Sequence, residues 1–275
     1  MNLVKGNLCF SSSINPSDIE INTGSVHHSQ MNFDKLDFPF RQEAYVPKNN
    51  WRPLNEKEVN KLFFKKSDLC QFVHIGRIDD EIIQIINEFK IHSLLDRKDV
   101  INKLKNNEIL LAELNTRLNK FVENISEGRN DFEFHRLSII PSGRYVTSIN
   151  LNNKDFEYIG LHIDHSTLFE ISTAHLSRNR VCINIGNEDR YLYILNLALC
   201  EMKELLSKKM NINKINVENI VDYFFKYFAD YPVLKIRQKP FEYYIAPTDN
   251  YVHDGSTYCN RYLDMTITYL GKFCF

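Results

Sequence analysis

An α+β fold with a mainly β core is predicted for this chain by three observations. Helical periodicity is confined to about residues 54–124, short alternating segments between turn residues take over after Gly128, and a helical pair interrupts those segments at 199–228. Helices, then about eight strands with an inserted helical pair, is the element order of a double-stranded β-helix, or jelly roll. A length of 275 residues suits one large β-barrel domain or two small ones. We read a single domain over 1–275, an irregular and helical region (1–125) packing on a barrel core (126–275) with its insert at 199–228.

Residues 1–50 read as irregular and polar, with Ser11-Ser12-Ser13, scattered Pro, and a His27-His28 pair of the kind usually exposed to solvent. Helix follows from Leu54: Asn55 precedes the acidic Glu56 and Glu58, and Val59, Leu62 and Phe63 recur at helical spacing. Ile82, Ile83, Ile85, Ile86 and Phe89 continue the pattern, as do Ile109, Leu110, Leu111, Leu114, Leu118 and Phe121.

Strands are expected at Phe132 to Leu137, Tyr145 to Ile149 and Phe156 to Ile163, separated by Pro141-Ser142-Gly143 and Asn152-Asn153-Lys154. Two more, Val181 to Ile185 and Tyr191 to Leu195, flank a turn at Gly186-Asn187-Glu188-Asp189. The insert carries helices over Cys200 to Lys208 and Val217 to Phe228, the second with Ile220, Val221, Phe224 and Phe225 on one side. Strands return at Val233 to Ile236, Phe241 to Ile245 and Leu263 to Leu270.

Composition narrows the function classes. Hydrophobic residues make up 43% and aromatics 12%, with 19 Phe and 14 Tyr, enough for a packed β interior. Lys and Arg total 34 against 35 Asp and Glu, so no global field attracts a polyanion, and nucleic acid is not an expected partner. The first ten residues lack a continuous apolar stretch, and no run of 18 apolar residues occurs, so no membrane association is expected. Six cysteines, at 9, 70, 182, 200, 259 and 274, show no C-x-x-C spacing and read as reduced thiols of a cytoplasmic protein.

The chemistry is carried by His162-Ile163-Asp164 together with the distant His253. Residues i and i+2 of an extended segment point to the same side, so His162 and Asp164 can reach one metal. His253, in the extended stretch Tyr251-Val252-His253-Asp254-Gly255, supplies the third ligand. Two imidazoles and one carboxylate cover one face of an octahedral iron(II) and leave the other positions open.

This ordered set, with Arg261 after the second His, resembles the iron(II)- and 2-oxoglutarate-dependent oxygenases, and the resemblance covers roughly residues 126–275. It implies iron(II) held by His162, Asp164 and His253, with 2-oxoglutarate and O2 as co-substrates and succinate as a product. It also implies that Arg261 meets the far carboxylate of 2-oxoglutarate. The common Arg-x-Ser pattern is absent, Arg261 being followed by Tyr262-Leu263-Asp264, and Arg180 is the second candidate because some relatives place the basic group between the two motifs. Halogenating relatives carry Gly or Ala at the Asp164 position, so its carboxylate favours hydroxylation, desaturation or ring formation, with a small molecule such as an amino acid or biosynthetic intermediate as substrate.

Two other classes use similar ligands: a zinc-dependent hydrolase, which also requires a general base, and a non-catalytic cupin-like module, whose spacing Glu170 loosely echoes. Asp254 and Asp264 are candidates to orient ligands, and His135, Arg136 and Arg144 to lie near the pocket in structural roles. His165 is expected to point away from the metal, and Asn184 to need a hydrogen-bonding partner or to face the co-substrate. The helices of 54–124 and the insert are expected to provide a lid or an oligomer interface.

Overall fold

The computed structural model describes residues 1–33, 36–63, 71–126, 131–152 and 155–273. Gly128, Asn153, Lys154, Cys70 and Cys274, all used in the sequence reading, lie outside these residues. Among them the chain is strand-rich and mixed, with six α-helices and several mainly antiparallel sheets.

The N-terminal segment is less irregular than its composition suggests. It forms β1 (Leu8–Phe10), β2 (Ile19–Ile21), the pair β3 (Ser25–His27) and β4 (Tyr45–Pro47), and β5 (Arg52–Pro53). Strands of three residues are too short to show a period, yet Leu8, Cys9, Phe10, Ile19 and Ile21 are all buried. Helix α1 (Glu56–Leu62) starts where its signal stands: Asn55 accepts from the Glu58 amide at 3.0 Å while Glu58 accepts from the Asn55 amide at 2.9 Å.

The helical reading of 54–124 is corrected at one place. Gln71–Arg77 is a strand, β6, whose Val73 and Ile75 alternate with more polar positions. Helices α2 (Asp80–Glu88), α3 (Arg97–Lys105) and α4 (Glu108–Asn124) follow. The core then runs through β7 (Phe132–Ile140), the hairpin β8 (Ile149–Asn152) and β9 (Asp155–Tyr158), β10 (Asn179–Asn184) and β11 (Arg190–Ala198). Helices α5 (Leu199–Ser207) and α6 (Ile220–Phe228) precede β12 (Leu234–Gln238), β13 (Glu242–Ala246), β14 (Tyr251–Ser256) and β15 (Asp264–Gly271). Of the segment expected as a strand at Tyr145 to Ile149, only Ile149 joins one. Thr147 donates to Gly255 O at 3.0 Å, and the Tyr145 hydroxyl to Pro47 O at 2.7 Å, so the stretch is braced as a loop.

Two sheets organise the molecule. One has the order β1-β6-β13-β10-β15-β7, antiparallel except for β1 beside β6, and the other β14-β11-β12-β2-β5. N-terminal strands therefore complete both. Cys182, Tyr244 and Ala246 of the first sheet share a core with Leu192, Ile194, Leu234 and Ile236 of the second. The alternate residues Val181, Ile183, Tyr243, Ile245 and Ile267 face α2 to α4, and Tyr193, Leu195 and Val252 on the second sheet's outer face meet α5 and α6. The central strands β10, β11, β13 and β15 are thus buried on both sides, which is why they read as nearly continuous apolar runs. No helix of the described residues is long and apolar enough to cross a membrane.

Candidate metal centre

The strand expected to carry the H-x-D motif stops early. After β9 the chain turns at Gly160, whose φ of +72° is a left-handed conformation and whose hydrogen-only side chain faces Tyr45 O, 2.5 Å from where a Cβ would stand. The motif then rejoins the sheet by a single rung: His162 N donates to His253 O at 3.0 Å and His253 N to His162 O at 2.8 Å. Asp164 N adds a bond to Thr248 O at 3.0 Å. The segment keeps strand parity, with Leu161 and Ile163 buried against the α5 and α6 side and His162 and Asp164 turned the other way.

His253 reaches the same place from β14, an edge strand of its sheet among the described residues. One donor atom from each of His162, Asp164 and His253 lies within 4.8 Å of the others. His162 Nε2 is 3.8 Å from Asp164 Oδ1, His253 Nε2 is 3.4 Å from Asp164 Oδ2, and the ring centroids are 4.7 Å apart. Adjacent ligand atoms around a metal with bonds near 2.1 Å stand about 3 Å apart, so small side-chain rotations close the set.

The remaining ring nitrogens fix which atoms are available. His162 Nδ1 lies 2.7 Å from Gly160 O and His253 Nδ1 3.2 Å from Tyr251 O. Carbonyls only accept, so each Nδ1 carries a proton and each Nε2 is the ring nitrogen left for a metal. Burial, then the neighbouring His253, lowers the His162 pKa to about 3, which keeps that imidazole neutral and ready to ligate. Burial alone would raise the Asp164 pKa, but His253 and Arg180 outweigh it and hold the carboxyl well below its ordinary range. Two imidazole nitrogens and one carboxylate are a donor set that fits a divalent transition metal.

A cavity of about 310 Å³ opens onto His162 and Asp164, lined also by His135, Arg136, Ser148, Arg180 and Leu270. Arg180, buried on β10, places Nη2 2.5 Å from Asp164 Oδ2, while its Nε is buried without a partner among the described residues. Arg136, on β7, has no ion-pair partner among the described residues. Burial, then Arg180 and Arg136, lowers the His135 pKa. Asp249 is buried behind the motif, accepting from Ser166 N at 3.1 Å and from the Ser166 hydroxyl.

Arg261, the first sequence candidate for the co-substrate carboxylate, is not at this cavity. It is exposed on the turn before β15, where its amide donates to Glu188 at 2.7 Å. That turn lies at the Asn184 end of β10, about 13 Å along the strand from Arg180. Arg180 is the candidate the fold brings to the ligands, and its acidic partner is Asp164 rather than the hairpin residues Glu188 or Asp189. The lid expectation is corrected as well: α2 to α4 and the insert pack on outer sheet faces, and none of them lines the cavity.

Other candidates separate by geometry. Asp254 points to the opposite side of β14 and accepts from the amides of Thr147, Ser148 and Gly255, at 3.3, 3.1 and 2.7 Å, with burial raising its pKa to about 7. Asp264 pairs with the buried Arg190 at 3.1 Å, Arg144 pairs with Asp37, and Asn184 bonds Gly186 and Glu188 of its own turn and Gln238 at the end of β12. His165 stacks on Phe169 at the cavity rim, and Glu170 is exposed on the following loop. Of the three basic residues expected near the pocket in structural roles, His135 and Arg136 line the cavity and Arg144 does not; the signal was two basic residues interrupting an apolar strand. Comparison with known protein families, with curated proteins and with solved structures found no match.

Proposed function

We propose that this protein is an iron(II)- and 2-oxoglutarate-dependent oxygenase acting on a small molecule, most simply as a hydroxylase. The observation that carries the reading is the convergence of His162 Nε2, His253 Nε2 and the Asp164 carboxylate beside a cavity that also holds two guanidiniums. The strand orders β7-β15-β10-β13 and β14-β11-β12, with the H-x-D segment bridged to β14, support a double-stranded β-helix around that site. A volume near 310 Å³ suits small ligands.

Charge supports a dianionic co-substrate. Arg136 and Arg180 balance Asp164 and Asp249, so a divalent ion leaves two positive charges uncompensated, the complement of 2-oxoglutarate. Iron(II) held there would supply, with 2-oxoglutarate and O2, oxidation of an unactivated C–H bond with succinate as co-product. The chain's own part is to present two fixed imidazole nitrogens and one carboxylate oxygen, and to meet a carboxylate with Arg180 or Arg136 through charge-assisted hydrogen bonds.

Zinc-dependent hydrolysis is the second reading, favoured by one observation: His135, with a lowered pKa, lines the same cavity and offers a general base. An anaerobic titration with iron(II) and 2-oxoglutarate separates the two. The oxygenase reading expects stoichiometric metal binding, a visible charge-transfer band that needs both components, and substrate-stimulated succinate release in air. Tight zinc binding with no 2-oxoglutarate binding overturns it.

A further inference from the structure

An apolar cavity lies on the opposite face of the six-stranded sheet from the candidate metal ligands. It holds about 400 Å³ between α2, α3 and α4 on one side and β7 and β15 on the other. Ile267 and Tyr269 line it, whereas Leu270, one step along β15, faces the metal-site cavity, so the two spaces are separated by the thickness of the sheet. The space opens to solvent past the exposed Phe134, Asn115 and Asn119 and closes inward on buried side chains. A cleft of this size between helices and a sheet has the dimensions of a ligand site.

Its lining specifies the ligand's chemistry. The depth is hydrocarbon, with Ile86, Phe89, Leu114 and Leu118 all buried. Among the described residues, no Asp, Glu, Lys, Arg or His lines it. Polar groups gather at the rim alone: Asn115 and Asn119 stand one helical turn apart on α4, and the Tyr269 hydroxyl makes a long 3.5 Å bond to Asn119 Oδ1. A carboxylate or ammonium entering here would lose its hydration with no counter-charge to replace it, whereas a hydroxyl or amide finds carboxamides that both donate and accept.

We propose that this cavity is a second binding site, for a neutral amphiphile with an apolar body and one uncharged hydrogen-bonding end. It is independent of the metal centre and does not rest on the oxygenase reading.

The test uses the full chain and the neutral fluorescent probe N-phenyl-1-naphthylamine, with decan-1-ol and decanoate as competitors. Expected are saturable one-to-one probe binding, displacement by decanol, and displacement by decanoate at least about tenfold weaker, the carboxylate being the only chemical difference. Leu118→Trp fills the space, and Leu111→Trp narrows it from its half-buried edge; circular dichroism checks that each folds. Whichever variant folds should bind the probe at least about tenfold more weakly, while His253→Ala binds it like the parent. Absence of saturable binding by the parent, equal displacement by decanoate, or undiminished binding by a folded cavity-filled variant overturns the proposal.

Discussion

The guanidinium of Arg180 lies 2.5 Å from Oδ2 of Asp164, so the carboxylate of the H-x-D motif already has a cation beside it before any metal is added. Removing that cation leaves a carboxylate that is largely buried and short of charge compensation. Arg180→Met should lower the stability of the metal-free protein by about 3 kcal/mol, the low end of the cost of breaking a buried pair. A divalent ion should restore much of the loss. Urea unfolding with and without manganese(II) reads both effects, and equal losses under the two conditions would contradict the assignment.

His253→Ala and Asp164→Ala each delete one of the three converging donors. Their affinity for cobalt(II) or iron(II) should fall by more than about 100-fold, beyond what loss of an outer partner costs. His165→Ala, next in sequence to Asp164 but stacked on Phe169, should leave affinity within about twofold. Isothermal titration of the three variants is the measurement.

Gly160 occupies a left-handed conformation against Tyr45 O, so Gly160→Ala meets both backbone strain and a collision. It should cost about 2 kcal/mol and shift the whole H-x-D segment, weakening metal binding although no ligand is altered. Unchanged metal affinity in a destabilised variant would mean that the turn does not set the ligands' position.

His92 is half-buried, with Nε2 3.0 Å from Ile185 O, and burial lowers its pKa below the ordinary imidazole value. On acidification below pH ~6.5 the unfolded chain takes up a proton that the folded chain resists. The unfolded state then binds more protons, so this group's contribution to stability falls as pH falls. His92→Gln removes that dependence. The stability of the parent relative to the variant should shrink between pH 7 and pH 5 in urea titrations, and a constant difference would count against the burial.

Much of the site was legible because parity survives even where secondary structure does not. Residues 162 and 164 share a side, as the spacing requires, although the segment contributes one backbone rung rather than a strand. What could not be read was the choice among distant charges. Arg180 and Arg261 are equally basic on paper, and only the pairing of β10 with β15 sends them to opposite ends of the sheet. The same limit applies to the helices. Ile82, Ile83, Ile85 and Ile86 declare a face that must be buried, but not that it covers the back of a sheet rather than the mouth of a cavity. Strands β1 and β2 are three residues each, shorter than any period that could announce them.

The reciprocal backbone bonds joining His162 to His253 have a thermodynamic corollary. Spacing between the two imidazoles is dictated by a rung of main chain, not by the rotamers of long flexible arms, so most of the ordering entropy of assembling a chelate is settled when the polypeptide folds. Loading and stripping the ion should therefore leave the backbone nearly superimposable, with little change in amide exchange on β14. An ion bound in such a rigid cradle would be exchangeable for another of similar radius without refolding, so any metal in the purified protein would follow the supply in the medium as much as the preference of the ligands.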